Sequence, residues 1–334
     1  MKINRLFYLI IILNFSCVTT KTALKDFNNA EYFDAANKFE KSLKDGDAKN
    51  SFLLAESLRK SNRLWQAGDF YSNAINYGIK NEIAYYYLVL SLKANNKYDE
   101  ADSVISNYLV NAKDQSVIKL INKESIYINN LRNYPDTSYY RVKNLTAINT
   151  KYAEYSPSFS KDKLFFVSNR QSEKIYKGTG TPFTDLYEVK TRGANVDINS
   201  LKKLEDNINQ EKVNEGSITF SSDGTYMIFA KGNNGKSSGR NNVDLYWSRF
   251  RRGGWTNPRL LNVNTSRSWD STPYLSKDGK TLYFASNRSK GYGGTDIYKA
   301  NVNRRGRWIN IQNLGPEINT PGNELFPSVT EDGR

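Results

Sequence analysis

Hydrophobic positions recur with two different periods along this 334-residue chain. In the first half the period is helical. Ala35, Ala67 and Ala101 stand in equivalent frames, Tyr32-x-x-Ala35-x-x-x-Phe39-x-x-x-Leu43, Leu64-x-x-Ala67-x-x-x-Tyr71 and Tyr98-x-x-Ala101-x-x-x-Ile105, spaced 32 and then 34 residues apart. A small residue at a fixed place, with a large apolar one three before and another four after, is what two closely crossing helices require. The spacing predicts paired helices in a tetratricopeptide-like array over residues 21–131. Tyr85-Tyr86-Tyr87 falls on one of these helices and is expected to pack between repeats.

In the second half the period is that of strands. Ser271 to Arg288, STPYLSKDGKTLYFASNR, holds two apolar runs around Lys277-Asp278-Gly279-Lys280. Asp-Gly in that setting predicts a β-hairpin. In Thr281-Leu282-Tyr283-Phe284-Ala285-Ser286 neither alternate set is polar, so this strand is expected to be covered on both faces. The hairpin has relatives at residues 155–170, 216–230 and 324–334, and the turn aspartates Asp162, Asp223, Asp278 and Asp332 are 61, 55 and 54 residues apart. Each full unit continues to Asp185-Leu186-Tyr187, Asp244-Leu245-Tyr246 or Asp296-Ile297-Tyr298. Two then reach Trp255 and Trp308 after Gly-containing basic turns. Four strands per unit of this length predicts β-propeller blades, and stacked blades explain a strand with two apolar faces.

The Pro-x-x-Ser-x-Asp-Gly-x-x-Leu-x-Phe-x-Ser-Asn-Arg frame, with Asp-x-Tyr in phase behind it, resembles the WD40-like repeats of the TolB-type β-propeller over residues 154–334. Two departures stand out: Lys163 in place of the first turn glycine, and Val196 where later units carry Trp. A second phrase, Asn144-Leu145-Thr146-Ala147-Ile148-Asn149-Thr150, matches Asn313 to Thr320, with Val263-Asn264-Thr265 as a shorter echo. This predicts that Tyr140-Arg141-Val142-Lys143, inside the linker at 132–153, supplies a ring-closing outer strand. Three units and part of a fourth are expected, in a chain truncated at its C-terminus.

Residues 1–16 carry Lys2 and Arg5, an apolar run from Leu6 to Leu13, and a small residue just before Cys17, the layout of a secretory signal. The run is too short to span a membrane. With Cys17 next in line the segment resembles a bacterial lipoprotein signal, which implies lipidation of Cys17, although Asn14 stands where such signals usually have Leu. Cys17 is the single cysteine, so an intrachain disulfide is excluded. Val18-Thr19-Thr20-Lys21 lacks an acidic cluster, which favours the periplasmic side of the outer membrane.

Composition narrows the chemistry. The chain has no histidine, which removes Ser-His-Asp and Cys-His arrangements and His-based zinc sites. A net charge of +14 is scattered without a recognition motif, so a solvated basic surface is expected, with no nucleic-acid partner. No cofactor and no metal site is predicted. One carboxylate recurs per unit, Glu154, Glu215, Asp270 and Glu324. These either ring a channel mouth, where they would bind a cation or a basic peptide, or hydrogen-bond neighbouring backbone. Asp185, Asp244, Asp296, Asp223, Gly224, Asp278 and Gly279 are predicted to be structural. Ser221 to Tyr226 is similar to the sialidase Asp-box but lacks one residue, and Gly291-Tyr292-Gly293-Gly294 has no helix after it to bind phosphate.

The order of signal, helical repeats and propeller resembles Bacteroidetes envelope lipoproteins with a C-terminal OmpA-like domain, including the PorE-type component of type IX secretion. The resemblance implies a fold that is multidomain, α then β, with a tetratricopeptide-like solenoid followed by a partial propeller. It implies a non-enzymatic, lipid-anchored scaffold facing the periplasm. Its expected partners are envelope or secretion-system proteins, the outer membrane, and peptidoglycan if an OmpA-like domain follows. Two alternatives stay open: the propeller gate of a serine peptidase, and a TolB-like binder of carbohydrate or cations.

Overall fold

The computed structural model describes residues 19–133, 144–170, 172–193, 195–232, 243–266 and 268–330. The signal segment, Cys17, Tyr140 to Lys143 and the turn at Asp332 lie outside the described residues. The chain divides into a helical unit and a sheet unit.

The described helical unit contains seven helices: α1 (19–28), α2 (Tyr32–Ser42), α3 (Ala48–Lys60), α4 (Gly68–Asn76), α5 (Ile83–Ala94), α6 (Tyr98–Asn111) and α7 (Gln115–Asn133). Asp47 begins α3 as a side-chain cap, its Oδ1 accepting the Asn50 N–H at 3.0 Å. Asp114 does the same before α7, accepting from the Ser116 N–H at 2.9 Å. Ala35, Ala67 and Ala101 are all fully buried, as close crossing demands. The second frame differs in detail. Leu64 lies in a short 3-10 turn (Leu64–Gln66), and Ala67 caps α4 rather than sitting inside it. One apolar cluster joins Phe39, Leu54, Tyr71 and Leu88, and another joins Val89, Ile105, Ile121 and Ile128. The three tyrosines pack between helices. Tyr87 stacks on Tyr71 at 5.9 Å, Tyr85 meets Tyr108 at 4.8 Å, and the Arg59 guanidinium lies 4.0 Å over the Tyr87 ring. Arg59 is held there by Glu56, which also accepts the Tyr71 hydroxyl.

The sheet unit is three successive antiparallel meanders. The first sheet is β1 (Glu154–Ser160), β2 (Lys163–Ser168), β5 (Asp185–Arg192) and β6 (Asn195–Lys203), with β3 (Ile175–Tyr176) and β4 (Thr181–Pro182) forming a small hairpin between β2 and β5. The second is β7 (Asn214–Phe220), β8 (Tyr226–Gly232) and β9 (Val243–Arg251), its far edge shared by β10 (Gly254–Trp255) and β11 (Arg259–Leu260). The third is β12 (Asp270–Leu275), β13 (Thr281–Ser286), β14 (Asp296–Val302) and β15 (Trp308–Asn313).

Alternation along the second strand of each sheet explains the absence of a polar face. Phe165 and Val167 of β2 share a core with Met227 and Phe229 of β8. Ile228 and Ala230, the opposite face of β8, share a second core with Leu282 and Phe284 of β13. Each sheet is therefore buried by its neighbour in sequence, the face-to-face layout of propeller blades.

The first hairpin corrects one sequence reading. Ser160 pairs directly with Lys163, whereas in the other sheets the ladder ends before the turn at Phe220 with Met227 and Leu275 with Leu282, the counterparts of Phe159 with Leu164. The turn is thus shortened to Lys161-Asp162, and Lys163 is already in the strand. Lys161, at φ 55°, takes the left-handed place that Gly224 and Gly279 fill elsewhere at φ 65° and 69°. A two-residue loop needs positive φ at its first position, so the substitution for glycine is at 161.

Candidate functional site

Three of the repeated carboxylates lie at the entry of β1, β7 and β12 and the fourth, Glu324, in the segment after β15, and each accepts a backbone N–H from the turn before it. Glu154 accepts from Thr150 at 3.0 Å, Glu215 from Gln210 at 3.2 Å, Asp270 from Thr265 at 3.1 Å and Glu324 from Thr320 at 2.9 Å. Three also meet a cation. Arg170 lies 3.1 Å from Glu154, Lys231 lies 3.2 Å from Glu215, and Arg288 lies 2.7 Å from Asp270. The same cations donate onward to the backbone carbonyls of Ile148, Ile208 and Val263, at 2.8, 2.9 and 3.1 Å. The result is a clip of carboxylate, cation and carbonyl that ties each inner strand to the preceding turn. Among the described residues, the acids close enough to share one ion are Asp26, Glu31 and Asp34 of the helical unit, where Lys38 pairs with Asp26 at 2.5 Å.

The second sheet carries the clip in altered form. Strand pairing sets Lys231 opposite Asp244, as Ser168 and Ser286 oppose Asp185 and Asp296. Lys231 therefore supplies from the serine position the cation that Arg170 and Arg288 supply two residues later. A lysine offers fewer fixed donors than the guanidinium fork. Glu215 Oε2 is left buried and unpartnered among the described residues. Burial pushes the Glu215 carboxyl up to about 8, against the pull of Lys231. Because its folded pKa lies above its ordinary value, stability from this group is complete below about pH 4.5 and falls as the pH rises towards 8. Glu215→Gln is expected to remove that slope, gaining on the wild type between pH 5 and 9 by on the order of 3 kcal/mol. Urea titrations of both proteins across that range check it. A difference that does not vary with pH counts against the burial argument.

The linking phrase has a purpose that sequence reading did not assign. Asn209 Oδ1 accepts the Leu186 N–H at 2.8 Å while its Nδ2 donates to the Leu186 carbonyl at 3.0 Å. Asn264 holds Leu245 in the same way, at 2.8 and 2.9 Å, and Asn319 holds Ile297 at 2.7 and 3.1 Å. Each asparagine acts as one residue of an extra strand, pairing with the middle position of Asp-x-Tyr. The copy Ile208-Asn209-Gln210 was missed because glutamine stands where the other copies have threonine. An Ile or Val before an Asn that stands five or six residues ahead of the repeated acid is the signal that finds all four.

The remaining repeated residues build turns. Asp223 accepts from the Ser221 hydroxyl at 2.5 Å and the Thr225 N–H at 3.0 Å, and these bonds hold it down to about 2. Asp278 repeats the arrangement with Ser276 and Lys280 and is likewise lowered. Asp185 pairs with Lys203 at 2.9 Å, and burial raises both Asp185 and Asp244. Asp296 accepts the N–H groups of Tyr292 and Gly293, at 2.6 and 3.0 Å, so the glycine loop folds back onto its own strand. A Cβ on Gly293 would lie 2.2 Å from the Thr320 carbonyl oxygen, which is why that position needs glycine.

The acids are bound in their turns, and one open concavity of the sheet unit is a cleft of about 800 Å³ between β1, β7 and β12 and the segment at 326–328. Each of these strands is the terminal one of its sheet. Their ladders also break along the cleft, between Tyr155 and Ser158, between Glu215 and Ile218, and between Ser271 and Tyr274. At the breaks Ser156 and Thr272 adopt φ 53° and 44°, a costly conformation that Phe326 repeats at 54°. The strain recurs at the same place in the first and third repeats and at Phe326, whereas Ser217, the equivalent residue of the second repeat, does not share it.

The chain matches no protein-family model and no curated protein. Among solved structures it is similar to a TolB-type protein from Agrobacterium tumefaciens, at 16% identity over 54% of this chain and 56% of that one, with a TM-score of 0.32. It is similar to a post-proline cleaving enzyme from Rickettsia typhi at 11% identity, over 49% of this chain and 22% of that one, with a TM-score of 0.31. A third is an α-L-arabinofuranosidase from Lactobacillus brevis, at 13% identity over 52% and 58%, with a TM-score of 0.30. The chain thus spans 56% of the TolB-type protein and 22% of the post-proline cleaving enzyme.

Proposed function

We propose that the chain is a non-enzymatic interaction scaffold of the cell envelope, lipid-anchored through Cys17 and facing the periplasm from the outer membrane. In this reading the helices form a tetratricopeptide-like solenoid and the sheets part of a TolB-type propeller, and each offers a surface to envelope or secretion-system proteins. The kinship is with Bacteroidetes lipoproteins of the OmpA-linked, PorE-like kind, in which a peptidoglycan-binding domain follows the propeller. The observation that carries the reading is the use made of the repeated polar residues. Carboxylates, asparagines and turn aspartates bind their own backbone, and the cleft is left walled by rings, hydroxyls and amines, which suit recognition. Among the described residues no helix is long and apolar enough to cross a membrane.

The test is metabolic labelling of the full chain with an alkyne fatty acid in a Gram-negative host, followed by membrane fractionation. Label and outer-membrane recovery are expected for the wild type, and loss of both for Cys17→Ala. An unlabelled wild-type protein in the soluble fraction would overturn the anchor. In the same cells, photocrosslinking from Phe159 is expected to capture envelope proteins, and a crosslinker that captures nothing counts against the scaffold.

A further inference from the structure

We propose that the outer turns of the second and third sheets form a basic rim that docks on an anionic phospholipid surface, a partner that rests on the scaffold reading above, in which the chain is held at a membrane. The rim begins in the sequence, where Arg251-Arg252-Gly253-Gly254 and Arg304-Arg305-Gly306-Arg307 stand just before Trp255 and Trp308. Antiparallel pairing puts these turns, β9 to β10 and β14 to β15, at the same end of their sheets as the hairpin turns at 221–225 and 276–280. They meet at one cleft of about 690 Å³, walled by Arg249, Phe250 and Arg251 of one sheet and by Val302, Gly306 and Trp308 of the next.

Charge selects the partner. Arg251, Arg252, Arg304, Arg305 and Arg307 are exposed, and none forms an ion pair with a carboxylate among the described residues. Arg249 is exposed as well, and its guanidinium rests 5.9 Å from the Tyr226 ring and 5.8 Å from the Trp247 ring, which steadies it without occupying its N–H fork. These six arginines face three carboxylates. Asp223 is bound in its own turn by the Ser221 hydroxyl and the Thr225 N–H, Asp278 is bound by the Ser276 hydroxyl and the Lys280 N–H, and Glu205 comes near Gly254. A guanidinium takes phosphate oxygens two at a time and is more weakly hydrated than an ammonium, so unpaired arginines favour a phosphate-bearing surface. In the first sheet Lys190 and Arg192 hold the corresponding turn, but Asp197 stands opposite Lys190, so the charge is concentrated on the second and third. Apolar groups then choose a bilayer over other sources of phosphate. Phe250 and Ile309, each 40% exposed, flank the two turns. Apolar side chains beside basic ones enter the headgroup boundary of a bilayer, whereas duplex nucleic acid has no apolar layer to receive them.

The test is vesicle co-sedimentation of the full chain carrying Cys17→Ala, which lacks the acyl site, at about 100 mM salt, where charges are screened beyond about 10 Å. Vesicles of phosphatidylcholine with phosphatidylglycerol are expected to bind it at least tenfold more tightly than vesicles of phosphatidylcholine alone. Replacing Arg251, Arg252, Arg305 and Arg307 by Gln is expected to lose tenfold or more. Replacing Lys41, Lys44, Lys80 and Lys113 of the helical unit by Gln removes the same charge from exposed positions and is expected to lose less than threefold. Ile309→Ser is expected to weaken vesicle binding at least threefold, and duplex DNA at equal phosphate concentration to displace less than half of the bound protein. The substituted residues are exposed, so thermal melts should overlay that of the parent chain. If the fourfold arginine variant melts early, Arg251→Gln, Arg252→Gln and Arg305→Gln, Arg307→Gln are measured as separate pairs. Equal binding to the two kinds of vesicle, equal losses from the arginine and lysine variants, an unmoved Ile309→Ser, or displacement of most of the protein by DNA would each overturn the proposal. Lipid labelling and photocrosslinking of the Cys17 chain that persist without this vesicle binding would leave the scaffold standing and remove only the basic rim.

Discussion

Asp270→Ala is expected to destabilise the sheet unit by about 3–5 kcal/mol, the cost of breaking a buried ion pair from one side. Asp270 is fully buried, and Arg288 reaches it at 2.7 Å while donating to Ser286 Oγ at 2.8 Å and the Val263 carbonyl at 3.1 Å. The guanidinium also lies 5.0 Å from the Phe284 ring and 4.9 Å from the Tyr298 ring, so it is packed on its faces as well as its edges. Removing the carboxylate strands that charge and the Thr265 N–H together. The double variant Asp270→Leu, Arg288→Met is expected to recover most of the loss, because replacing both partners removes the uncompensated charge. Urea unfolding followed by tryptophan fluorescence reads both. A single-variant loss under about 1 kcal/mol would mean that the clip does not hold the strand.

Asn264→Ala is expected to cost about 2 kcal/mol, since it leaves the Leu245 N–H without a partner, worth roughly 1–3 kcal/mol when buried, while the Leu245 carbonyl keeps the Leu261 N–H at 2.9 Å. A third bond, from Nδ2 to the Leu261 carbonyl at 2.9 Å, is lost with them. Asn264→Asp is the sharper variant. It keeps an acceptor for the Leu245 N–H but turns a second oxygen towards two carbonyls, so it should be no better than alanine. Amide exchange at Leu245 is the local measurement. If that amide stays as protected as in the wild type, the asparagine is not the element that holds β9 to the linking turn.

Much of this was legible in the chain. The Asp-Gly hairpins at 278 and 223, the Asp-x-Tyr strands and the buried alanines at 35 and 101 rest on local rules, turn chemistry and the period of apolar residues, and they stand where those rules put them, while Ala67 is buried but caps its helix. What local pattern missed were relations between strands. Lys231 does not align with Arg170 by motif, since it occupies the serine position of the frame, and its role emerges when β8 is paired with β9 and the Ile208 carbonyl comes within 2.9 Å. Lys161 likewise could be assigned to the left-handed place once Ser160 was seen to pair with Lys163. The four acids repeat visibly in the sequence, but whether they point to a channel or to their own turns depends on where the preceding loop returns.

By itself, then, the sequence determined the elements and their repetition, because helix crossings, hairpin turns and two-sided strands are each set by residues near one another. The tertiary structure decided what the repeated polar groups are for. A carboxylate seeks the nearest donor, and the Thr150, Gln210, Thr265 and Thr320 amides are brought to it when the linking turn packs beside the inner strand. The cleft is decided at the same level, since its walls come from three different sheets and form once those sheets have stacked.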